Sequence, residues 1–204
     1  MNETEILVYN REKLPQEWLD EKVILKMDEK SFKDSLKLGK YQFINREKVE
    51  NDPNFKQIIP YVIIRNPKGE IITYQRQGNE KRIESLWSIG VGGHIDKVDN
   101  KDEIIGTIES CIMRELYEES CGQIPFDKSK LSFLGIINEE ITKVGKVHLG
   151  AVYLLNTEVD KLDFDSEEDE LSKHCWLSKE DILNSKKLEM WSEMALNLLE
   201  SNKI

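Results

Sequence analysis

Short apolar runs punctuated by turn residues dominate the pattern of this chain. Ile58 to Arg65 is rich in β-branched and aromatic side chains, Asn66-Pro67-Lys68-Gly69 is a turn signal, and Ile71 to Arg76 is apolar again. That pattern predicts a β-hairpin. Trp87 to Val91 predicts a further short strand running into Gly92 and Gly93. Leu131 to Ile137 and Lys146 to Leu155 predict two more, with Gly145 in the turn between them, and His174 to Leu177 a last short one. Between about Glu103 and Glu119 the spacing changes: Ile105, Ile108, Ile112 and Leu116 recur at three- and four-residue intervals, the stripe of an amphipathic helix. Ser178 before Glu180 and Asp181 reads as a capped helix start. Leu188, Trp191, Met194, Ala195 and Leu198 give a terminal helix its apolar face. Strands interleaved with helices indicate an α/β fold.

The first 56 residues differ in pattern. The apolar stretch Ile6 to Tyr9 is followed by lysine-rich segments suited to short helices, and the texture changes near Gln57. We therefore divide the chain into an N-terminal extension, 1–56, and a domain, 57–204. The extension matches no motif; covering the sheet, forming a homodimer contact and roofing a pocket are the roles open to it.

Composition narrows the function. A length of 204 residues suits one sizeable domain with an extension, and 39% hydrophobic with 33% charged residues gives a packed core under a charged surface. The net charge of −10 argues against non-specific binding to nucleic acid or to an anionic membrane. It leaves room for a nucleotide where a divalent cation reverses the local sign. Apolar runs such as Val147 to Leu155 fall far short of the roughly 20 residues that span a bilayer. The acidic start, Met1 to Glu5, lacks the basic and apolar regions of a signal peptide. Cys111, Cys121 and Cys175 form no CxxC pair and read as buried, reduced thiols. The expectation is a cytoplasmic protein.

Chemistry concentrates in Arg114-Glu115-Leu116-Tyr117-Glu118-Glu119. On a helix Glu115 and Glu119 are one turn apart with Glu118 beside them, and like charges at that spacing repel. A solvated acidic face is the plain alternative in a chain with 39 acids. At about 100° per residue, however, Glu115 and Glu119 project into the arc of Ile104, Ile108 and Ile112, while Thr107, Ser110, Arg114 and Tyr117 project to the opposite side. Carboxylates at the edge of a core-facing stripe need a partner, and a hard divalent cation with a preference for oxygen supplies one.

This segment resembles the core of the Nudix box, Gly-x5-Glu-x7-Arg-Glu-U-x-Glu-Glu-x-Gly-U with U a bulky aliphatic residue. Gly92-Gly93-His94-Ile95-Asp96 looks like its opening, and the order of flanking strands agrees over roughly residues 57–185. Three departures stand out. The interval from Gly93 to Arg114 is seven residues longer than the family's, which places an inserted loop at Lys97 to Glu103. Gly106 stands where the box has its first Glu, with Asp102 or Glu103 as substitutes. Cys121 takes the place of the later Gly, with Gly122 next to it.

The resemblance implies an α/β/α sandwich with a mixed β-sheet, a Nudix hydrolase domain at 57–204, and a hydrolase that cleaves a small-molecule diphosphate in a Mg²⁺-dependent reaction, with Mn²⁺ as a substitute. It implies Glu115, Glu118, Glu119 and the Gly92 carbonyl as metal ligands, with Arg114 orienting the carboxylates. For the general base it points first to Glu170, six residues before Trp176, then to Glu139 and Glu140. Arg76 at a strand end and His94 beside Gly93 are candidates for substrate phosphate, and Trp87 or Tyr74 for stacking on a base. Against the hydrolase stand a non-catalytic nucleotide- or partner-binding module on the same scaffold, and a proton-transfer enzyme using Cys121. His148 reads as a core histidine.

Overall fold

The computed structural model describes residues 4–75, 86–164 and 171–201. Arg76 and Glu170 lie outside them. In chain order the strands are β1 (Glu5–Asn10), β2 (Lys22–Lys26), β3 (Tyr41–Asn45), β4 (Phe55–Arg65), β5 (Ile71–Gln75), β6 (Trp87–Ser88), β7 (Gly90–Val91), β8 (Leu131–Glu139), β9 (His148–Asn156) and β10 (His174–Leu177). The helices are α1 (Glu29–Leu36), α2 (Arg46–Val49), α3 (Ile104–Glu119), α4 (Lys143–Val147), α5 (Lys179–Ser185) and α6 (Met190–Ser201).

All these strands join one mixed sheet with the central order β10-β5-β4-β9-β8-β2. At its middle β4 runs parallel to β9, from Gln57 opposite His148 to Arg65 opposite Asn156. Both strands are apolar nearly throughout because both faces are covered. On one face α1 and α3 bury Phe32, Leu36, Ile108, Ile112 and Leu116 against Val62, Ile64 and Tyr153. On the other, Ile182 of α5 and Met194, Ala195 and Leu198 of α6 pack on Ile63, Ile137, Val152 and Leu154. The result is an α/β/α sandwich.

The first 56 residues are woven into this sheet. Strand β1 pairs with β3 and with the start of β4, and β2 pairs with β8 from Lys22–Glu139 to Lys26–Gly135. Trp18 and Phe32 stack with ring centroids 5.7 Å apart, and Phe32 in turn lies 4.8 Å from Phe133.

Several local expectations change. Gly145 lies inside α4 rather than in a turn, since Thr142 caps that short helix by accepting from the Gly145 N–H at 2.9 Å. A side chain at 145 would overlap the Glu139 carboxylate. Thr107 is fully buried, not on a polar face, because its hydroxyl accepts the Lys101 N–H at 2.9 Å. Ser178 caps α5 as its sequence suggests. Tyr74 is a core residue whose hydroxyl donates to the Gly90 carbonyl, and Trp87 lies beneath the Lys186 ammonium.

Candidate active site

Helix α3 carries the carboxylates and the loop 92–99 faces them. The loop is pinned on two sides. Val91 pairs with Val62 of β4, and beyond the glycines the Ile95 carbonyl accepts the Leu7 N–H of β1 at 2.9 Å. Gly92 packs so closely on the Pro60 carbonyl that a Cβ would overlap it. Gly93 sits over Glu115: a Cβ there would come 2.5–2.7 Å from all three carboxylate atoms. Glycine at 93 therefore lets the backbone lie directly on a carboxylate.

Arg114 ties loop and helix together. Its Nε and Nη2 donate to the two oxygens of Asp99 at 3.1 and 2.8 Å, Nη2 also donates to the His94 carbonyl at 2.9 Å, and Nη1 donates to Glu115 at 2.6 Å and to Glu118 at 3.2 Å. Burial by itself would weaken the guanidinium's hold on its proton, but Asp99 and Glu115 more than offset it, so its pKa is raised. Burial also raises the Glu115 pKa, with Arg114 acting against the shift. Oε2 of Glu119 is shielded from solvent, while the Glu118 side chain is 57% exposed.

Asp99 is the residue that the sequence reading missed. It is 2% exposed, and besides Arg114 it accepts the Asp96 N–H at 3.0 Å, closing a reciprocal cap on the turn Lys97–Asp99. Counted forward from Gly93, Asp99 stands after five intervening residues, where the box has its first Glu. Counting backward from Arg114 led to Gly106 instead. The additional seven residues fall after Asp99, at 100–106, and include the first turn of α3. Neither proposed substitute is the buried acid: Glu103 is an exposed N-cap residue paired with Lys33, and Asp102 is exposed.

The His94 ring is engaged by neighbouring strands. Its Nε2 lies 2.7 Å from Gln57 Oε1 and 3.1 Å from His148 Nε2, and its pKa is lowered to about 4, chiefly by burial and then by Arg46. That environment suits a neutral ring supporting the loop. His148 Nδ1 bonds the Val144 carbonyl, which satisfies the core histidine. The alternative bases are also engaged. Glu139 caps the N–H groups of Ile141 and Thr142 at 2.7 and 2.8 Å. Glu140 pairs with the fully buried Lys56 and with Arg11, each at 2.7 Å. Of the three thiols expected to be buried, Cys111 is, beneath the His94 carbonyl at 3.4 Å, and Cys175 is partly so, but Cys121 is exposed because it ends α3 in a helix-terminating turn with φ +51°.

Does this donor set fit a metal ion? Glu115, Glu118 and Glu119 offer only oxygen ligands within one helical turn, which is the chemistry of Mg²⁺ or Mn²⁺. Among the described residues no three His, Cys, Asp or Glu side chains converge on a common centre. Glu115 and Glu118 converge instead on Arg114 Nη1. In donor type the residues fit.

A mixed sheet between two helical layers, with a glycine loop laid on an acidic helix, defines a protein of the Nudix fold. The chain belongs to the Nudix family, whose NUDIX domain model matches residues 56–198. It is 34% identical over 167 residues to Protein YmaB of Bacillus subtilis (strain 168), covering 78% of this chain and 79% of that protein. The crystal structure of Tm1382, described as a putative Nudix hydrolase, superposes with a TM-score of 0.76 at 27% identity, over 97% of this chain and 98% of the other. That likeness therefore takes in the N-terminal strands. The NUDIX domain of Shewanella oneidensis NrtR, solved with ADP-ribose, shares the fold alone, with a TM-score of 0.54 at 14% identity over 73% of this chain and 89% of its own. Among the described residues no helix is long and apolar enough to cross a membrane.

Proposed function

We propose that this protein is a Mg²⁺-dependent hydrolase of a small-molecule diphosphate, with a nucleoside diphosphate derivative as the substrate class. The observation that carries the reading is the brace at α3. Asp99 and Arg114 lock the glycine loop against Glu115, and the same guanidinium reaches Glu118 one turn on. The carboxylates of Glu115, Glu118 and Glu119 and the Gly92 carbonyl would hold the metal. When bound, the metal would neutralise the diphosphate and lower the pKa of a coordinated water.

The chain's own groups have distinct tasks. Arg114 orients Glu115 and Glu118 by donating to both from Nη1. The apposition of Gly93 and Glu115 fixes one carboxylate relative to the backbone. Glu170 is the candidate to take the proton from the attacking water, since Glu139 and Glu140 are committed to structural contacts. Arg76 is the candidate for substrate phosphate. The ADP-ribose in the NrtR domain is consistent with this substrate class on a shared fold.

A phosphate- and nucleotide-release screen over diphosphate compounds, with and without Mg²⁺ and with chelator, tests the proposal. Turnover should appear with Mg²⁺ or Mn²⁺ and vanish with chelator. Glu118→Gln and Glu119→Gln should each reduce kcat by at least about 10² with the fold intact, the size typical of lost charge stabilisation at a catalytic site. Chelator-resistant turnover would exclude the mechanism, and no turnover on any compound would favour a binding module.

A further inference from the structure

The carboxylate site leaves the ring of His94 and its two neighbours without a task. The parallel pair at the middle of the sheet sets two of the three groups side by side. Gln57 on β4 stands opposite His148 on β9, and directly opposed residues project to the same face. The third group comes from the glycine loop: Nε2 of His94 lies 3.1 Å from Nε2 of His148 and 2.7 Å from Oε1 of Gln57. Both neighbours are held in that orientation from behind. His148 Nδ1 donates to the Val144 carbonyl at 2.7 Å, and Gln57 Nε2 donates to the Val49 carbonyl at 3.2 Å.

A count of hydrogens follows. A neutral imidazole carries one N–H, and that of His148 is committed to Val144, so its Nε2 presents a lone pair. The Gln57 oxygen presents another, because its amide NH₂ is turned to Val49. Among the described residues, the hydrogen that these two acceptors share is the one on His94 Nε2. We propose that His94, His148 and Gln57 form a binding site for a transition-metal cation of the Zn²⁺ type, separate from the carboxylates. With the His94 proton moved to Nδ1, a cation in its place would meet all three atoms.

The geometry and the donor types agree with that ion. Two imidazole ligands at about 2.0–2.1 Å in a tetrahedral arrangement lie about 3.3 Å apart, near the observed 3.1 Å. Imidazole nitrogen suits Zn²⁺, Ni²⁺ or Cu²⁺, whereas Mg²⁺ takes oxygen. A ring N–H given to a backbone carbonyl, as at His148, is the outer contact that orients metal-binding histidines. Glu50 is close enough for its charge to act on both rings, and its partly exposed side chain accepts from Arg46 Nε at 2.8 Å. Released from Arg46, Glu50 would be the fourth ligand; otherwise a water fills that position. Arg46, Arg114 and Lys56 oppose a cation here, but Arg114 faces Asp99 and Glu115, and Lys56 faces Glu140. The two sites meet at residue 94, whose carbonyl accepts from Arg114 while its ring meets β4 and β9.

The test is titration of the metal-free full chain with Zn²⁺ in excess Mg²⁺, read by a competing chromophoric chelator and by the ring-nitrogen NMR resonances of the histidines. The chain has 3 histidines. A single equivalent of Zn²⁺ should shift Nε2 of His94 and His148 and leave His174, whose Nδ1 bonds the Leu171 carbonyl, unmoved. His94→Asn and His148→Asn should each weaken Zn²⁺ at least about tenfold, whereas Glu118→Gln should leave its affinity unchanged. The proposal is overturned by absence of saturable Zn²⁺ binding, by binding that leaves the His94 and His148 resonances in place, or by full affinity in both histidine variants. Loss of binding in Glu118→Gln would overturn it too, since the ion would then sit at the carboxylates. The resonances are read on the unaltered chain, so a histidine variant that fails to fold does not remove the test. No substrate or turnover enters, which keeps this outcome separable from that of the hydrolase screen.

Discussion

Replacing Asp99 by Asn is the sharpest test of how the carboxylate helix is braced. Asn keeps the size and one acceptor oxygen, so the Asp96 N–H can still be satisfied, but the negative charge facing Arg114 is gone. The Asp99 side chain is 3% exposed and that of Arg114 21%. Removing one partner of a buried pair costs about 3–5 kcal/mol. Because Arg114 retains Glu115, Glu118 and some access to water, the lower end applies, and we expect a loss of about 3 kcal/mol. In urea, with a slope of about 1–3 kcal/mol/M, the midpoint should fall by at least about 1 M. Asp102→Asn and Glu103→Gln, at exposed positions, should each change stability by less than about 0.5 kcal/mol. The reasoning is refuted if Asp99→Asn behaves like those two. A double-mutant cycle with Arg114→Gln should return a coupling of roughly 1–3 kcal/mol, and a value near zero would show that Asp99 acts through its cap alone.

Gly93→Ala should cut kcat on an active diphosphate by at least about 10², since the new Cβ would lie 2.5–2.7 Å from the Glu115 carboxylate and must displace it; wild-type kinetics would contradict the apposition. Cys121→Gly should raise stability by about 1 kcal/mol in urea melts, because a non-glycine residue at φ +51° carries a left-handed backbone cost. His94 and His148 are less basic in the fold than in the unfolded chain, through burial first. Acidification therefore lets the unfolded state bind protons that the folded state refuses, and stability should fall as pH drops from 6.5 towards 4. By pH 5.5 His94 alone should cost about 1 kcal/mol. A His94→Asn chain with the same pH dependence as wild type would count against this.

The elements of the domain were legible because their periodicities are local. The α3 stripe, the hairpin across Asn66 to Gly69, the strands before and after the box and the Ser178 cap all depend on neighbours a few residues apart. What escaped depends on contacts remote in sequence. Asp99 is identified by a salt bridge to a residue 15 positions later, and the forward count from Gly93 was its only sequence signal. The inward turn of His94 is fixed by Gln57 and His148, on two different strands. Glu139 and Glu140 look like surface acids until α4 and Lys56 are in place around them. Thr107 reads as polar by composition, yet its hydroxyl serves a backbone group and the residue can be buried.

The docking of the N-terminal strands also bears on how the chain is made. Strand β2 leaves the ribosome well before its partner β8, which follows more than 100 positions later. Strand β1 waits for β4 and for the loop at Ile95. During synthesis Ile6 to Tyr9 and Trp18, all buried in the finished fold, have no sheet to enter. Pairings this distant slow folding and leave apolar strands open to association. A nascent chain halted before β8 would carry β2 without its partner, and a chain cut at residue 56 would lack the strands that pair with β8 and with the start of β4. Either product would present sheet edges that the whole molecule conceals, and is expected to aggregate rather than fold.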